Sequence, residues 1–541
     1  MSYPRSDLFN DSKANSSLVG SIVVKTDSVS FYSFKANSTY VVKSHGPMLL
    51  LRQTDDQEGC VEQEPMEILE TINKCINKVV VPSGDIIGLK MVAVGVTSHR
   101  SSVLAWDRWT GHPLCNVIMR RDNRATEIVN EYLQIYDKYK FQTVCGLPLS
   151  PLFSAFKIKW LLKNNAIVKV AYEQGRCYFG TVDTWIVWNL TGGTKDSSNA
   201  SNTFLMNINT LQWDPKLLKM FGINQSSLPE IRASSQIYGQ FADGPLKNIP
   251  ISGVIGIRQS ALVGHRCFRR GITKATLDEG GSVFTVTGEN KVFSKNGLLT
   301  TIGYHIDTRP VYALEGPITS GGAGIEWMEH ITRLKTNKVT HCLKAGKRIN
   351  NPNSICYIHA INGLYAPHWR PEALGVLVAD EFNAEDMVRA AMESVSFQTA
   401  EILKAATMDL KIPIDRIKVD GYLADNKFIM ESLADFINGK VEVAMCKEMT
   451  ALGAAMVAGY APEVNVWNIM CMAEDVSIAN YKPTLKADEL KKRWFDWNRN
   501  INRCYNLVDT GKKSFWESPW KVGGSIACGL VLLGSYLMLK K

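Results

Sequence analysis

"YALEGPITSGGAGIEWMEH", Tyr312 to His330, passes from a strand-like run into a glycine-rich loop and then into a helical pattern. A glycine loop that opens a helix can turn backbone N–H groups toward an anion, but a single loop of this composition serves as readily as a tight turn. Repetition gives it weight. "GGSVFTVTG", Gly280 to Gly288, is a glycine turn into a strand, and "RIKVDGY", Arg416 to Tyr422, is a strand that ends in Asp420-Gly421. "YFGTVDTWIVWNLTGG", Tyr178 to Gly193, is a strand or a buried helix closed by a glycine turn. Several such loops in order predict an α/β protein with a nucleotide cleft.

The remaining pattern extends this reading. Leu18 to Phe34 reads as two strands around the polar Lys25-Thr26-Asp27-Ser28, and Met91–Ser98 with Ser102–Trp106 repeats that strand–turn–strand theme. Phe153 to Leu162 fits an amphipathic helix with Lys157 and Lys159 flanking an apolar stripe. A second helix is predicted from Asn383 to about Met408, with Asp386 in its first turn, and a third runs from beyond Gly421 to a stop at Asn438-Gly439. Two α/β halves imply a two-lobed protein with its site in the cleft and a boundary near Ser252–Gly256. There, in "ISGVIGIRQSALVGHRC" (Ile251–Cys267), Gly256 follows an apolar run and Ile257-Arg258 open a helix. That is a place to present a carboxylate or amide to a phosphate-bearing ligand, yet it holds an isoleucine and an arginine.

A chain of 541 residues exceeds a single core. Its 61 Lys and Arg against 52 acids leave +9, spread without a dense basic run, which argues against nucleic acid as a partner. The 12 cysteines contain no C-x-x-C, so neither a zinc pair nor a redox dithiol is indicated. "MSYPRSDLFNDSKANSS", Met1 to Ser17, lacks an apolar signal segment, so a reduced, cytosol-facing body is expected. Val522 to Leu539 is uncharged, with Trp516, Trp520 and Lys521 before it and Lys540-Lys541 after. As a helix it would span about 27 Å, near the ~30 Å of a hydrocarbon core, so residues 522–539 are predicted to be a tail anchor; a buried terminal helix is the bland alternative.

"FGTVDTWIVWNLTGG", "ALEGPITSGGAGIEWM", "GLPLSPLFSAFKIKWLL", "NGLYAPHWRPEALG" and "TALGAAMVAG", in that family's order, closely resemble glycerol kinases of the FGGY carbohydrate-kinase family. The resemblance implies two actin-like, ribonuclease-H-like domains closing on ATP, magnesium and glycerol, and the reaction ATP plus glycerol to sn-glycerol 3-phosphate plus ADP. It also implies a division into a polar extension (1–17), an N-terminal kinase-like domain (18–255), a C-terminal one (256–510) and a linker with the tail helix (511–541). A hydrophobic tail in animal members implies a cytosol-facing protein on a membrane, the mitochondrial outer membrane in preference to the endoplasmic reticulum. A homodimer and a protein partner at the membrane are further expectations.

Carried over residue by residue, the resemblance changes character. The family's first turn, D-Q-G-T-S-S-T-R, is here "VVKTDSVS": Val23 replaces the acid and Lys25 the glycine, while Thr26 and Ser28 persist. A valine cannot hold hydrated magnesium, so no metal ligands are assigned. Of the polyol-gripping set, Arg100 remains as the substrate-binding candidate, with Ser101, Arg120 and Leu152 at the Glu, Trp and Tyr positions. Asp122 and Arg124 persist, with a structural ion pair as their bland reading. Ile257 occupies the position of the family's catalytic base, leaving no catalytic residue assigned. The nucleotide set would be Thr26, Gly280, Gly322, Gly421 and Asn426. The family's G-T-G has become Asp278-Glu279-Gly280, and Tyr422, in place of a glycine, would block an adenine or stack on it. The leading expectation is a membrane-tethered glycerol-kinase-like scaffold or binding protein with weak or lost activity. The alternatives are a glycerol kinase with a rearranged site, using Asp27 or Asp278, and a kinase for another polyol or a sugar acid.

Overall fold

The computed structural model describes residues 11–50, 53–54, 59–80, 89–194, 196–197, 199–306, 308–318, 321–335, 355–360, 363–379, 382–444, 446–469 and 477–506. The tail anchor expected at 522–539 lies outside the described residues, among which no helix is long and apolar enough to cross a membrane.

Two mixed sheets carry the molecule. The first contains β1 (Ser17–Val24), β2 (Ser28–Lys35), β3 (Val41–Leu49), β4 (Lys90–Ser98), β5 (Ser235–Gln240) and β6 (Pro250–Gly256), in the order β5-β6-β4-β1-β2-β3. An antiparallel meander β1–β2–β3 is followed by β4 parallel to β1 and β6 parallel to β4. β7 (Thr273–Leu277), β8 (Gly281–Gly288), β9 (Leu299–Tyr304), β10 (Val311–Ile318), β11 (Arg416–Asp420), β12 (Lys440–Ala444) and β13 (Ser477–Tyr481) form the second, in the order β9-β10-β8-β7-β11-β12-β13. β10, β8 and β7 are antiparallel neighbours, and β11 and β12 continue in parallel. The two sheets thus repeat one topology, as two actin-like halves require. β1 is buried along its whole length, so it reads as a continuous apolar run rather than an alternation.

The helices follow their local signals. α1 (Pro65–Val80) covers β2 with Ile68, Ile72, Cys75 and Ile76. α2 (Ser154–Asn164) and α3 (Val182–Thr191) lie where an amphipathic helix and a strand-or-helix were expected; Tyr178–Gly193 holds both, a strand at Cys177–Gly180 and then α3, ended by Gly192 in the left-handed region. Residues Leu104–Asp107 are a strand as expected, but they pair with Cys177–Gly180 instead of forming a hairpin with β4. α4 (Ile257–Gly264) leads from the first sheet to the second, and α5 (Gly322–Thr332) follows the glycine loop. α6 (Ala384–Leu410) starts with a reciprocal cap between Asn383 and Asp386. α7 (Lys427–Ile437) ends at Asn438 in the left-handed region.

α8 (Met449–Tyr460), late in the sequence, packs on the first sheet. Its small residues make the approach close: a Cβ on Gly453 would stand 1.8 Å from the Ser260 carbonyl oxygen, and one on Gly95 would stand 2.2 Å from that of Ala454. α9 (Ala487–Asn506) closes the far side of the second half, with Trp497 stacked on Phe397.

Candidate functional site

Parallel strands bring their carboxyl ends to one edge, where ligands of open α/β sheets bind. In the first sheet Val24 and Gly256 both pair with Ser98, so the β1 turn, the loop His99–Ser102 and the start of α4 meet there. In the second sheet Thr276 pairs with Asp420, which sets Asp278–Gly280 beside Gly421. The two edges face each other across the cleft, and the link between them is ionic. Arg100 donates from both terminal nitrogens to Glu315 on β10, at 3.0 and 2.7 Å, with both side chains buried. Burial opposes ionisation of Glu315, but Arg100, then Arg120 and Arg258, outweigh it and hold the carboxyl below its ordinary range.

The residues around Arg100 differ from a polyol grip. Ile257 opens α4 and is half-buried, packed against the apolar cluster that contains Ile255 and Leu262. Ser101 sits at φ 62°, and Leu152 is buried. Arg120 is half-buried, and its guanidinium interacts electrostatically with Glu315, Arg100, Tyr365 and Arg258. Arg258 pairs with Asp278 at 3.0 Å, so the proposed replacement base is engaged by a guanidinium. Asp27, the other candidate, is an exposed turn residue that accepts from the Ser28 hydroxyl at 2.9 Å. Asp122 and Arg124 form a two-bond pair at 2.8 and 2.7 Å, with Glu62 also on Arg124, in agreement with their structural reading.

One residue was misread. Lys157, expected to flank an apolar stripe, is fully buried, and its Nζ donates to the carbonyls of Ser101 (3.2 Å), Arg120 (3.1 Å) and Leu152 (3.4 Å). A single ammonium thus fixes the backbone of all three substituted polyol positions. Burial, with help from Arg120 and Arg124 and against the pull of Asp122, lowers its pKa to about 7.

The structure brings Gly280, Gly322 and Gly421 together. Gly322 donates to the Asp278 carbonyl at 2.8 Å, and Asp278 donates to that of Gly280 at 2.9 Å. A Cβ on Gly421, at φ 94°, would stand 2.4 Å from the Leu277 carbonyl oxygen. Gly322, expected in the loop before a helix, is instead the first residue of α5. The Tyr422 phenol lies on this loop. Its hydroxyl oxygen would be 1.7 Å from a Cβ on Gly322, and it donates to Glu326 at 3.3 Å. Burial, then Glu326, Asp278 and Glu279, push the phenol pKa up. The Asn426 side chain caps α7, accepting from Phe428 and Ile429 N–H at 3.0 and 3.2 Å. Thr26 remains in the β1–β2 turn, where its carbonyl accepts from Gln63 at 2.5 Å.

ATP with magnesium fits these residues poorly. Glu326 and Glu279 lie near the half-exposed phenol on the glycine loop, with Asp278 there paired to Arg258, and the two carboxylates without an ion pair among the described residues would repel a triphosphate. Val23, buried on β1, cannot serve as the acid that a hydrated cation needs, and the carboxylate of the following turn, Asp27, is exposed and accepts from Ser28.

Comparison with known proteins places this geometry. The model of the FGGY family of carbohydrate kinases, N-terminal domain, matches residues 34–264, and that of the C-terminal domain matches residues 275–462. A glycerol kinase of Acidiphilium cryptum is 36% identical over 470 residues, covering 85% of this chain and 93% of the relative. One from Pasteurella multocida is 38% identical over 458 residues, covering 83% and 90%. The crystal structure of Plasmodium falciparum glycerol kinase with ADP superposes with a TM-score of 0.82 at 33% identity, covering 91% of this chain and 99% of that one.

Proposed function

We propose that this chain, which belongs to the FGGY family of carbohydrate kinases, is a glycerol-kinase-like binding protein that no longer transfers phosphate from ATP to glycerol. The observation that carries the proposal is Ile257. At the position of the family's proton acceptor its side chain is apolar and packed into an apolar cluster. Two carboxylates of the cleft, Glu315 and Asp278, are each paired with an arginine. Losing a general base costs about 10²- to 10⁴-fold in rate, and the changed polyol and nucleotide positions add to that, though not additively. The Tyr422 phenol on the nucleotide loop supports the same reading. A rearranged kinase centre would need Asp27 or Asp278 free to accept a proton; the first is on an exposed turn and the second is held by Arg258.

In this reading residues 522–539 tether the cytosol-facing body to a membrane, the mitochondrial outer membrane, where it acts as a scaffold or binding module. The deciding experiment measures glycerol 3-phosphate formation by the full chain in detergent, with ATP, magnesium and glycerol. A folded sample is expected to match the protein-free blank; clear glycerol-dependent turnover would overturn the proposal. Carbonate extraction and organelle fractionation of cells expressing the full chain test the tether, and recovery in the soluble fraction would rule it out.

A further inference from the structure

We propose that the cleft where Arg100, Arg120 and Arg258 converge binds a small hydroxylated carboxylate, whose charge is taken by Arg120; this rests on the reading of the chain as a binding protein. The charge count leads there. Arg100 is neutralised by Glu315 through two bonds, and Arg258 by Asp278 at 3.0 Å. Arg120 has no carboxylate within 4.0 Å among the described residues, and it reaches Glu315 only through space. Burial lowers its pKa against the pull of Glu315, with Arg100 and Arg258 adding to the fall. One guanidinium charge remains unanswered, which suits a monoanion better than a phosphate dianion. The planar guanidinium fork matches a carboxylate through two parallel bonds.

A second observation points to hydroxyl groups on the same ligand. Gln259 is buried; its Nε2 donates to the Ile302 carbonyl at 3.3 Å, while its Oε1 has no donor among the described residues. That oxygen and Arg100 Cδ both lie against Gly256, each 2.7 Å from where a Cβ there would stand, with Asn199 Oδ1 at 2.5 Å. A buried acceptor without a donor calls for one, and a ligand hydroxyl supplies it. Leu152 and Ile257 make the neighbouring wall apolar, so the ligand is short. A neutral polyol would meet Arg120 without compensating its charge.

The test is calorimetric titration of the full chain in detergent at fixed ionic strength with glycerate, glycerol, acetate and inorganic phosphate. Glycerate is expected to bind at least about tenfold more tightly than glycerol or phosphate, and more tightly than acetate, which lacks the hydroxyls. Arg120→Gln is expected to weaken glycerate at least about tenfold and so to remove its advantage over glycerol. If Arg120→Gln fails to fold, Arg120→Lys, which keeps the charge but not the fork, is expected to weaken glycerate by about fivefold. No glycerate binding, equal or tighter binding of glycerol, acetate or phosphate, or an unchanged affinity in the variant overturns the proposal. The same samples are assayed for phosphate transfer from ATP. Transfer to glycerate would remove the loss-of-activity reading and leave the binding site standing, whereas absent binding without transfer would remove only the site.

Discussion

Glu315 and Arg100 join the two halves of the molecule through a buried two-bond fork, β10 on one side and the loop after β4 on the other. Neither charge has water to fall back on, so neutralising one leaves the other stranded. Glu315→Gln is expected to destabilise the fold by about 3–5 kcal/mol, read as a lower denaturant midpoint. A change within error would mean that the cleft relaxes to hydrate Arg100.

The phenol on the glycine loop makes a second prediction. In the parent, ADP with magnesium is expected to give no thermal shift. Tyr422→Gly removes the ring from Gly322, and a measurable ADP shift is expected to emerge, at least about tenfold weaker than a glycerol kinase shows because Asp278 and Glu279 remain. A parent that ADP stabilises strongly would show that Tyr422 moves aside or stacks on the base.

Restoring the acid alone is not expected to restore catalysis. Ile257→Asp places a carboxylate beside Arg258, which would bind it as it binds Asp278. Turnover of glycerol is expected to stay at the blank, since residues that act as a unit fail together; recovery from this single change would show that the remainder of the site is intact.

Lys157 and His99 give stability a pH dependence whose sign is fixed by burial. The Lys157 pKa is lowered from 10.5 to about 7, so the unfolded chain binds its proton more readily between those values and stability rises with pH across that window. His99, fully enclosed, is lowered from 6.5 to about 4, first by burial and then by Lys157, so stability is lost as pH falls from 6.5 towards 4. Chemical denaturation across pH 4 to 10 checks both. Lys157→Met is expected to flatten the alkaline rise and His99→Gln the acid fall. Unchanged slopes in these variants would assign the dependence to other groups.

Gly453 tests the packing of α8. With the Ser260 carbonyl oxygen 1.8 Å from its would-be Cβ, Gly453→Ala must push α4 and α8 apart, at a cost of about 1–3 kcal/mol. Thermal unfolding of the variant is the measurement, and an unchanged midpoint would show that the two helices shift freely.

Much of the frame was written locally. The β1–β2 turn, the cap at Asn383 and the stop at Asn438 are each decided by a few adjacent residues, so sequence pattern finds them. Pairing is not local: Leu104–Asp107 has the composition of a strand but nothing nearby names Cys177–Gly180 as its partner. In the cleft the sequence showed substitutions at Val23, Ile257 and Tyr422, and little of what the residues now present touch. Glu315 passed as part of a strand because its partner lies 215 residues away. Arg258 stands out in the sequence only as a substitution, and its bond to Asp278 needs both sheets in place. Lys157 sits at a helical position that periodicity assigns to a polar flank, and three carbonyls pointing inward are invisible to a pattern of side chains. Asn426 carries a readable signal, an Asn directly before a helix, for the cap that it forms.

The position of α8 has a consequence for how such a molecule can be divided. It comes from the latter part of the chain, yet it lies on the sheet built by the first part, with no room for a methyl group at Gly95 or Gly453. A half-molecule that stops after α4 would therefore expose a groove shaped for a helix it does not encode. The other half would carry an Ala- and Gly-rich helix with little of its own to rest on. The two sheets repeat one topology, yet α8 ties the second half to the first, so neither is complete without the other. A cut that separates the halves therefore divides a packed interface rather than a linker.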